Sequence, residues 1–237
     1  SGCGAEGRGS RGVVDELLVA TGAATMAAPG RKANMREDRT VIGFDIDGVI
    51  LNYFEGLMIW AAQQGERLGC EPHEVDTYCM HRAFPDLAEW EVMDLITIFN
   101  TKPDFGRLRP YPGAMETILG LVRDFPDIEL VAITSAGKSD VTRQLRLQNL
   151  EQIPFYEVHV IPIGASKKTY FEMLPEGSLF IEDLAHHAAT ADEAGLVSVL
   201  YRQPYNLGDE HPRAVTGWDE LDAFIRSHLG MSPSLAA

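Results

Sequence analysis

The sequence predicts an α/β protein: a doubly wound parallel sheet with a small all-helical insertion after its first strand. Three observations carry that expectation. Short apolar runs without polar alternation recur from Thr40 onward, the pattern of strands buried on both faces. Amphipathic stretches lie between them, which implies helical crossovers joining parallel strands. The segment from Tyr53 to Arg109 breaks this rhythm and reads as helix throughout.

In chain order, residues 1–39 are rich in Gly, Ala and Arg without sustained periodicity, and read as a disordered leader. Its most apolar part, Val13 to Ala28, holds Asp15, Glu16 and Gly22. It is too short and too charged for a membrane span or a signal-peptide core. The α/β core is expected over 40–52 and 110–230, and the helical cap over 53–109. Candidate strands are Thr40–Asp45, Ile128–Thr134, Glu157–Ile163, Ser178–Glu182 and Leu196–Tyr201. Met115, Ile118, Leu119 and Val122 make one helix face, and Ala185 to Ala194 reads as a helix closed by Gly195. Within the insertion, Phe54, Leu57, Met58, Ala61, Ala62 and Leu68 recur at helical spacing. Asp86 with Glu89 reads as a capping box for a helix holding Trp90, Met93, Ile96 and Phe99. Pro110, Pro112 and Gly113 mark the return to the core. Placed directly after an acidic turn, the insertion is expected to be a mobile lid that sets substrate choice.

At 237 residues, 45% apolar and 23% charged, the composition is that of an ordinary globular enzyme. The formal net charge of -15 argues against a nucleic-acid polymer or an anionic membrane as partner. A small anionic metabolite is still admitted, because a bound metal can reverse the local sign. Three cysteines, sparse and odd in number, suggest free thiols and a cytoplasmic location. Cys70, His73, Cys79 and His81 lie close in sequence, but their spacing matches no usual zinc motif.

The chemistry is concentrated at strand ends, where open parallel sheets bind ligands. Asp45 and Asp47 follow the first apolar run, on a turn that Gly48 permits. Thr134 and Ser135 follow the second strand, Lys167 and Lys168 lie beyond the third, and Glu182-Asp183 end the fourth. Asp-x-Asp-Gly also opens calcium loops, but there the glycine stands at loop position six, whereas Gly48 would stand at four. Carboxylates delivered by buried strands need a cation or a reaction to compensate them. An aspartate nucleophile at Asp45 fits, with Mg2+ held by Asp45, Asp47, Asp183 and Glu182. Asp47 would serve as acid and base, Thr134 and Ser135 as donors to phosphoryl oxygens, and a lysine as counter-charge. Lys167 is preferred to Lys168, because Phe171 and Leu174 then fall on the inward face.

These residues resemble the haloacid dehalogenase (HAD) superfamily from about Thr40 onward. Asp45-Ile46-Asp47-Gly48-Val49 matches its first motif, Thr134 its second, Lys167 its third and Glu182-Asp183 its fourth. The resemblance implies a Rossmann-like core, a helical cap and magnesium-dependent phosphoester hydrolysis. It also implies that Asp47 sets the chain apart from the dehalogenase branch. Leu200-Tyr201-Arg202-Gln203-Pro204-Tyr205-Asn206, with Trp218 and Leu221, is similar to the 5'(3')-deoxyribonucleotidase group, although Glu182 stands where that group has aspartate. The cap aromatics Tyr53, Phe54, Phe84 and Trp90 are candidates to stack on a base. Alternative readings are a sugar-phosphate phosphatase or phosphomutase, and a silent module that only binds a phospholigand.

Overall fold

The computed structural model describes residues 40–78, 80 and 82–230. The expected leader lies outside the described residues, as do Cys79 and His81. In chain order the elements are β1 (Thr40–Phe44), α1 (Tyr53–Gln63), α2 (Glu89–Phe99), α3 (Ala114–Asp124), β2 (Ile128–Ser135), α4 (Asp140–Asn149) and β3 (Glu157–Ile161). Then come α5 (Lys168–Phe171), β4 (Leu179–Glu182), α6 (Ala185–Glu193), β5 (Val197–Tyr201), β6 (Ala214–Val215) and α7 (Trp218–His228).

The sheet runs β3-β2-β1-β4-β5-β6, with every pairing parallel. The chain winds outward from β1 in one direction through β2 and β3, and in the other through β4, β5 and β6. That reversal puts a topological switch point between β1 and β4, the place where such sheets open a crevice.

Alternation along each strand supplies both faces of the core. Val41, Val131, Ile133 and Phe180 pack under Phe171 of α5 and Ala191 of α6. Ile42, Phe44, Leu130 and Ala132 join Ile118, Leu121, Trp218 and Ile225 of α3 and α7 on the opposite face. Gly43 is required by this packing, since a Cβ there would collide with the Phe180 ring. Phe44 stacks on Trp218 at 6.2 Å between ring centroids and meets Phe155 edge-on at 6.4 Å.

Several expectations are corrected. Among its described residues the insertion holds two α-helices and two short 3₁₀ turns, Pro72–Glu74 and Phe105–Arg107, so much of what is described of 64–88 is irregular rather than helical. Asp86 caps no helix: it pairs with Arg67 at 2.6 Å, while Glu91 accepts the Ala88 amide at 2.8 Å. On α3 the buried face uses Leu121, and Leu119 points to solvent. The two-residue strand β6 was too short to leave a sequence signal.

The insertion is stitched to the core at its base. Leu51 and Pro110 form an antiparallel bridge, Asn52 N–H donates to Arg109 O at 2.9 Å, and Tyr111 N–H to Ile50 O at 2.8 Å. From α4, Asn149 Nδ2 donates to Phe105 O at 2.5 Å, and its Oδ1 accepts the Leu108 amide at 3.1 Å. From α2, Asn100 Nδ2 donates to Ala136 O at 2.8 Å.

Phe44→Ala should cost about 3–5 kcal/mol, because the cavity would lie between the sheet and α7 where the Trp218 ring cannot collapse into it. Urea unfolding followed by fluorescence would measure it. A loss below about 1 kcal/mol would show that this face tolerates voids.

Candidate active site

The β1–β4 register builds the site. Phe44 lies beside Ile181, and Asp45 N–H donates to Ile181 O at 2.8 Å, so Asp45 and the Glu182-Asp183 pair leave adjacent strands together. Side-chain oxygens of Asp45, Glu182 and Asp183 gather within 4.8 Å of one another, all buried. Lys167, arriving from the loop after β3, is 1% exposed and stands between two of them. Its Nζ lies 2.9 Å from Asp45 Oδ2 and donates to Glu182 Oε2 at 2.7 Å. Lys168 instead faces solvent beside Glu172, while Phe171 and Leu174 are buried as their spacing suggested.

Each acid has a different set of partners. Asp45 Oδ1 accepts the Ile46 amide at 2.7 Å. Glu182 Oε1 accepts the amides of Asp183 and Leu184 at 3.1 and 3.2 Å, so both of its oxygens are engaged. Asp183 receives the Tyr205 hydroxyl on Oδ2, and its carbonyl receives Asn206 Nδ2 at 2.6 Å. Gln203 Nε2 donates to Gly48 O at 2.6 Å. Gly48 itself has φ +80°, and a Cβ there would strike the Asp183 carboxylate and the Tyr205 hydroxyl.

Asp47 pairs with Arg146 of α4, which is fully buried and carries Phe105 under its guanidinium at 4.4 Å. Thr134 Oγ1 and Ser135 Oγ, at the end of β2, are buried without a protein partner. Of the residues that sequence reading proposed, Asp45, Asp47, Thr134, Ser135, Glu182 and Asp183 stand at or just beyond neighbouring strand ends, and Lys167 reaches them from the start of α5. The sequence reading missed Arg146, Tyr205 and Asn206 as parts of the site. Arg146 belongs to no motif, and its burial on the same face as Thr142 is visible only in the structure.

Burial dominates the electrostatics. It raises the Asp45 carboxyl to about 6, with Lys167 opposing and Glu182 adding to the rise. Asp47 is raised by burial against the pull of Arg146. Asp183 is pushed well above the ordinary range by burial and by the charges of Glu182 and Asp45. Burial works to lower the Lys167 ammonium, but Asp45 and Glu182 outweigh it and hold the pKa up. His187 is depressed to about 4 by burial and by nearby Lys167.

Three buried carboxylates against one ammonium leave negative charge uncompensated, and the donors are all oxygen. That set fits a hard divalent cation. Glu182 is the most heavily engaged, on Lys167 and two amides. Asp45, with one amide on Oδ1 and Lys167 beside Oδ2, and Asp183, with Tyr205 on Oδ2, keep more lone-pair capacity for a cation. Asp47 stands on the same turn as Asp45.

A cavity of about 380 Å³ opens over these groups. Its floor includes Asp45, Asp47, Ser135 and Lys167, and its outer wall Phe54, Tyr78, Met80, Val92, Met93 and Ile96. Tyr53 also lines it, with its hydroxyl donated to Asn100 Oδ1 at 2.8 Å. Two of the aromatic candidates are elsewhere: Phe84 is in the core, and Trp90 is 67% exposed and off the cavity.

No protein-family model matches the sequence, and no curated protein is significantly similar to it. Solved structures do share its fold. A HAD-family hydrolase from Deinococcus radiodurans R1, with bound phosphate and sodium, superposes with a TM-score of 0.55 at 16% identity, covering 83% of this chain and 99% of its own. Protein tyrosine kinase A (PtkA) of Mycobacterium tuberculosis gives 0.58 at 17% identity, over 81% and 99%. The L-2-haloacid dehalogenase of Xanthobacter autotrophicus, with chloropropionic acid covalently bound, gives 0.52 at 13% identity, over 79% and 98%. The chain has the fold of the HAD hydrolases, with a buried acidic cluster at its switch point.

A cation held by Asp45 would compete with its proton, so an affinity for magnesium at this site should rise with pH. Between pH 5 and pH 7, around the Asp45 value of about 6, apparent affinity should increase about tenfold. Magnesium titrations of melting temperature at the two pH values would show this. Equal affinity at both would remove Asp45 as a ligand.

Proposed function

We propose that the protein is a magnesium-dependent phosphatase of the HAD superfamily that hydrolyses a small phosphomonoester through a phosphorylated Asp45. The observation that carries this reading is the buried Lys167 ammonium between Asp45 and Glu182, with Asp47 and Asp183 alongside. A carboxylate can attack a phosphate dianion only where positive charge offsets their repulsion, and Lys167 supplies part of that charge here. Bound by Asp45 and Asp183, Mg2+ would supply further neutralisation and polarise the phosphoryl oxygens.

The chain's own groups then divide the work. Asp45 bonds to phosphorus as the ester oxygen leaves, and Asp47 gives that oxygen its proton, releasing the alcohol. Water next attacks phosphorus, Asp47 takes back a proton, and inorganic phosphate departs with Asp45 restored. Thr134 and Ser135 hydroxyls, with no protein partner, donate to the phosphoryl oxygens. Lys167 holds the nucleophile in place and offsets its charge.

A nucleoside monophosphate, deoxy or ribo, is the leading substrate. The support is the outer wall: Phe54 and Tyr78 offer aromatic surface, and among the described residues Lys167 is the only lysine or arginine on the cavity. A flat, uncharged leaving group suits such a wall better than one bearing a second anion. Among the described residues no helix is long and apolar enough to cross a membrane. The sparse cysteines still point to a cytoplasmic enzyme.

Release of inorganic phosphate from a panel of phosphomonoesters, with magnesium or with chelator, tests the reading. Asp45→Asn should lower turnover at least about 10³-fold without lowering the melting temperature. Full activity in that variant would remove Asp45 as nucleophile.

Phe54→Ala should change relative kcat/KM between a nucleoside monophosphate and a sugar phosphate by about tenfold, the scale of one lost stacking contact. An equal loss on both substrates would make Phe54 core packing alone.

A further inference from the structure

We propose that Arg146 is a positioning residue for proton transfer: it holds one oxygen of Asp47 so that the other faces the leaving group. The proposal rests on the phosphatase reading and adds to it a residue from α4, away from the strand ends.

Arg146 is 0% exposed, on the inward face of α4 one turn after buried Thr142. A guanidinium does not shed its charge in a protein, so burying it is costly, and an apolar side chain of similar volume would fill the space at less cost. Its partners are few. Nη2 donates to Asp47 Oδ2, the Phe105 ring lies against the guanidinium, and Nε and Nη1 have no protein partner. The ion pair goes to the candidate acid and base.

The two oxygens of Asp47 are thereby made different. Oδ2 is occupied by Arg146, while Oδ1 is buried without a protein partner on a side chain that lines the cavity. Oδ1 is the oxygen that gives the proton to the departing ester oxygen and takes one from the attacking water. Without Arg146 the carboxylate would be free to rotate about its terminal bond, a soft torsion. The same helix also holds the return of the cap, through Asn149 bonded to Phe105 O and the Leu108 amide. Asp47 and the return of the cap are thus both tied to one element.

The test compares kcat/KM, which reports the phosphoryl-transfer step, for an alkyl phosphate and p-nitrophenyl phosphate. An alkoxide must be protonated as it leaves, and p-nitrophenolate need not be. Arg146→Met should lower kcat/KM on the alkyl phosphate by about 10²-fold or more and on the aryl phosphate by less than about tenfold. Arg146→Lys should recover part of the loss, and it carries the test if the Met variant does not fold. In an Asp47→Asn background, Arg146→Met should add almost nothing. Equal losses on both substrates, or additive losses in the double variant, would overturn the role and leave the phosphatase reading standing. Absence of magnesium-dependent turnover by the unaltered protein would remove that reading and this role with it.

Discussion

Negative charge confined at the junction of β1 and β4 is the constraint that organises the rest of this molecule. Two parallel strands end side by side and gather Asp45, Glu182 and Asp183, all buried, with Asp45 and Asp183 lining the cavity. Removing carboxylates from water costs several kcal/mol each unless a partner replaces the lost hydration. Lys167 replaces part of it by reaching two of the three acids at once. Burial, with the remaining charge, raises Asp45 and Asp183, and a cation placed there would neutralise that charge.

The segment after β5 serves this arrangement. Tyr205 donates to Asp183, Asn206 Nδ2 donates to the carbonyls of Asp183 and Tyr201, and Gln203 secures Gly48 on the acidic turn. Tyr205 also meets Phe54 and Tyr78, with ring centroids at 5.1 and 6.0 Å. One side chain therefore touches both a candidate metal ligand and the cavity wall contributed by the insertion. The insertion's own anchors, Asn100 on Ala136 and the paired backbone at Leu51 and Pro110, hold that wall over the strand ends.

Comparison with solved structures agrees with this emphasis on the site. Proteins named as a hydrolase, a kinase and a dehalogenase share the fold with this chain at 13–17% identity. A common scaffold therefore does not choose the reaction, and the reading adopted depends on Asp47, Lys167 and their neighbours.

The sequence by itself marked strands β1 to β5, the acids, threonine and lysine that stand at or beyond their ends, and a segment between β1 and β2 that breaks the alternating pattern. These features are local: an apolar run buried on both faces and a glycine after two acids are readable in a few residues. Lys167 was also legible, because the helical spacing of Phe171 and Leu174 fixed which of two adjacent lysines turns inward. Within the insertion the reading was weaker. Periodicity marked α1 and α2 but extended helix across 64–88, where irregular backbone is held by separate contacts such as Arg67 with Asp86. Only the tertiary structure decided which acids share Lys167, that Trp90 faces solvent while Phe54 faces the cavity, and that Arg146 meets Asp47. Asp47 and Arg146 stand 99 residues apart, and their meeting depends on how α4 packs against the Phe105–Arg107 turn and β3. Pattern along a chain reports burial, but the pairing of two buried charges is settled by packing geometry that no local pattern encodes.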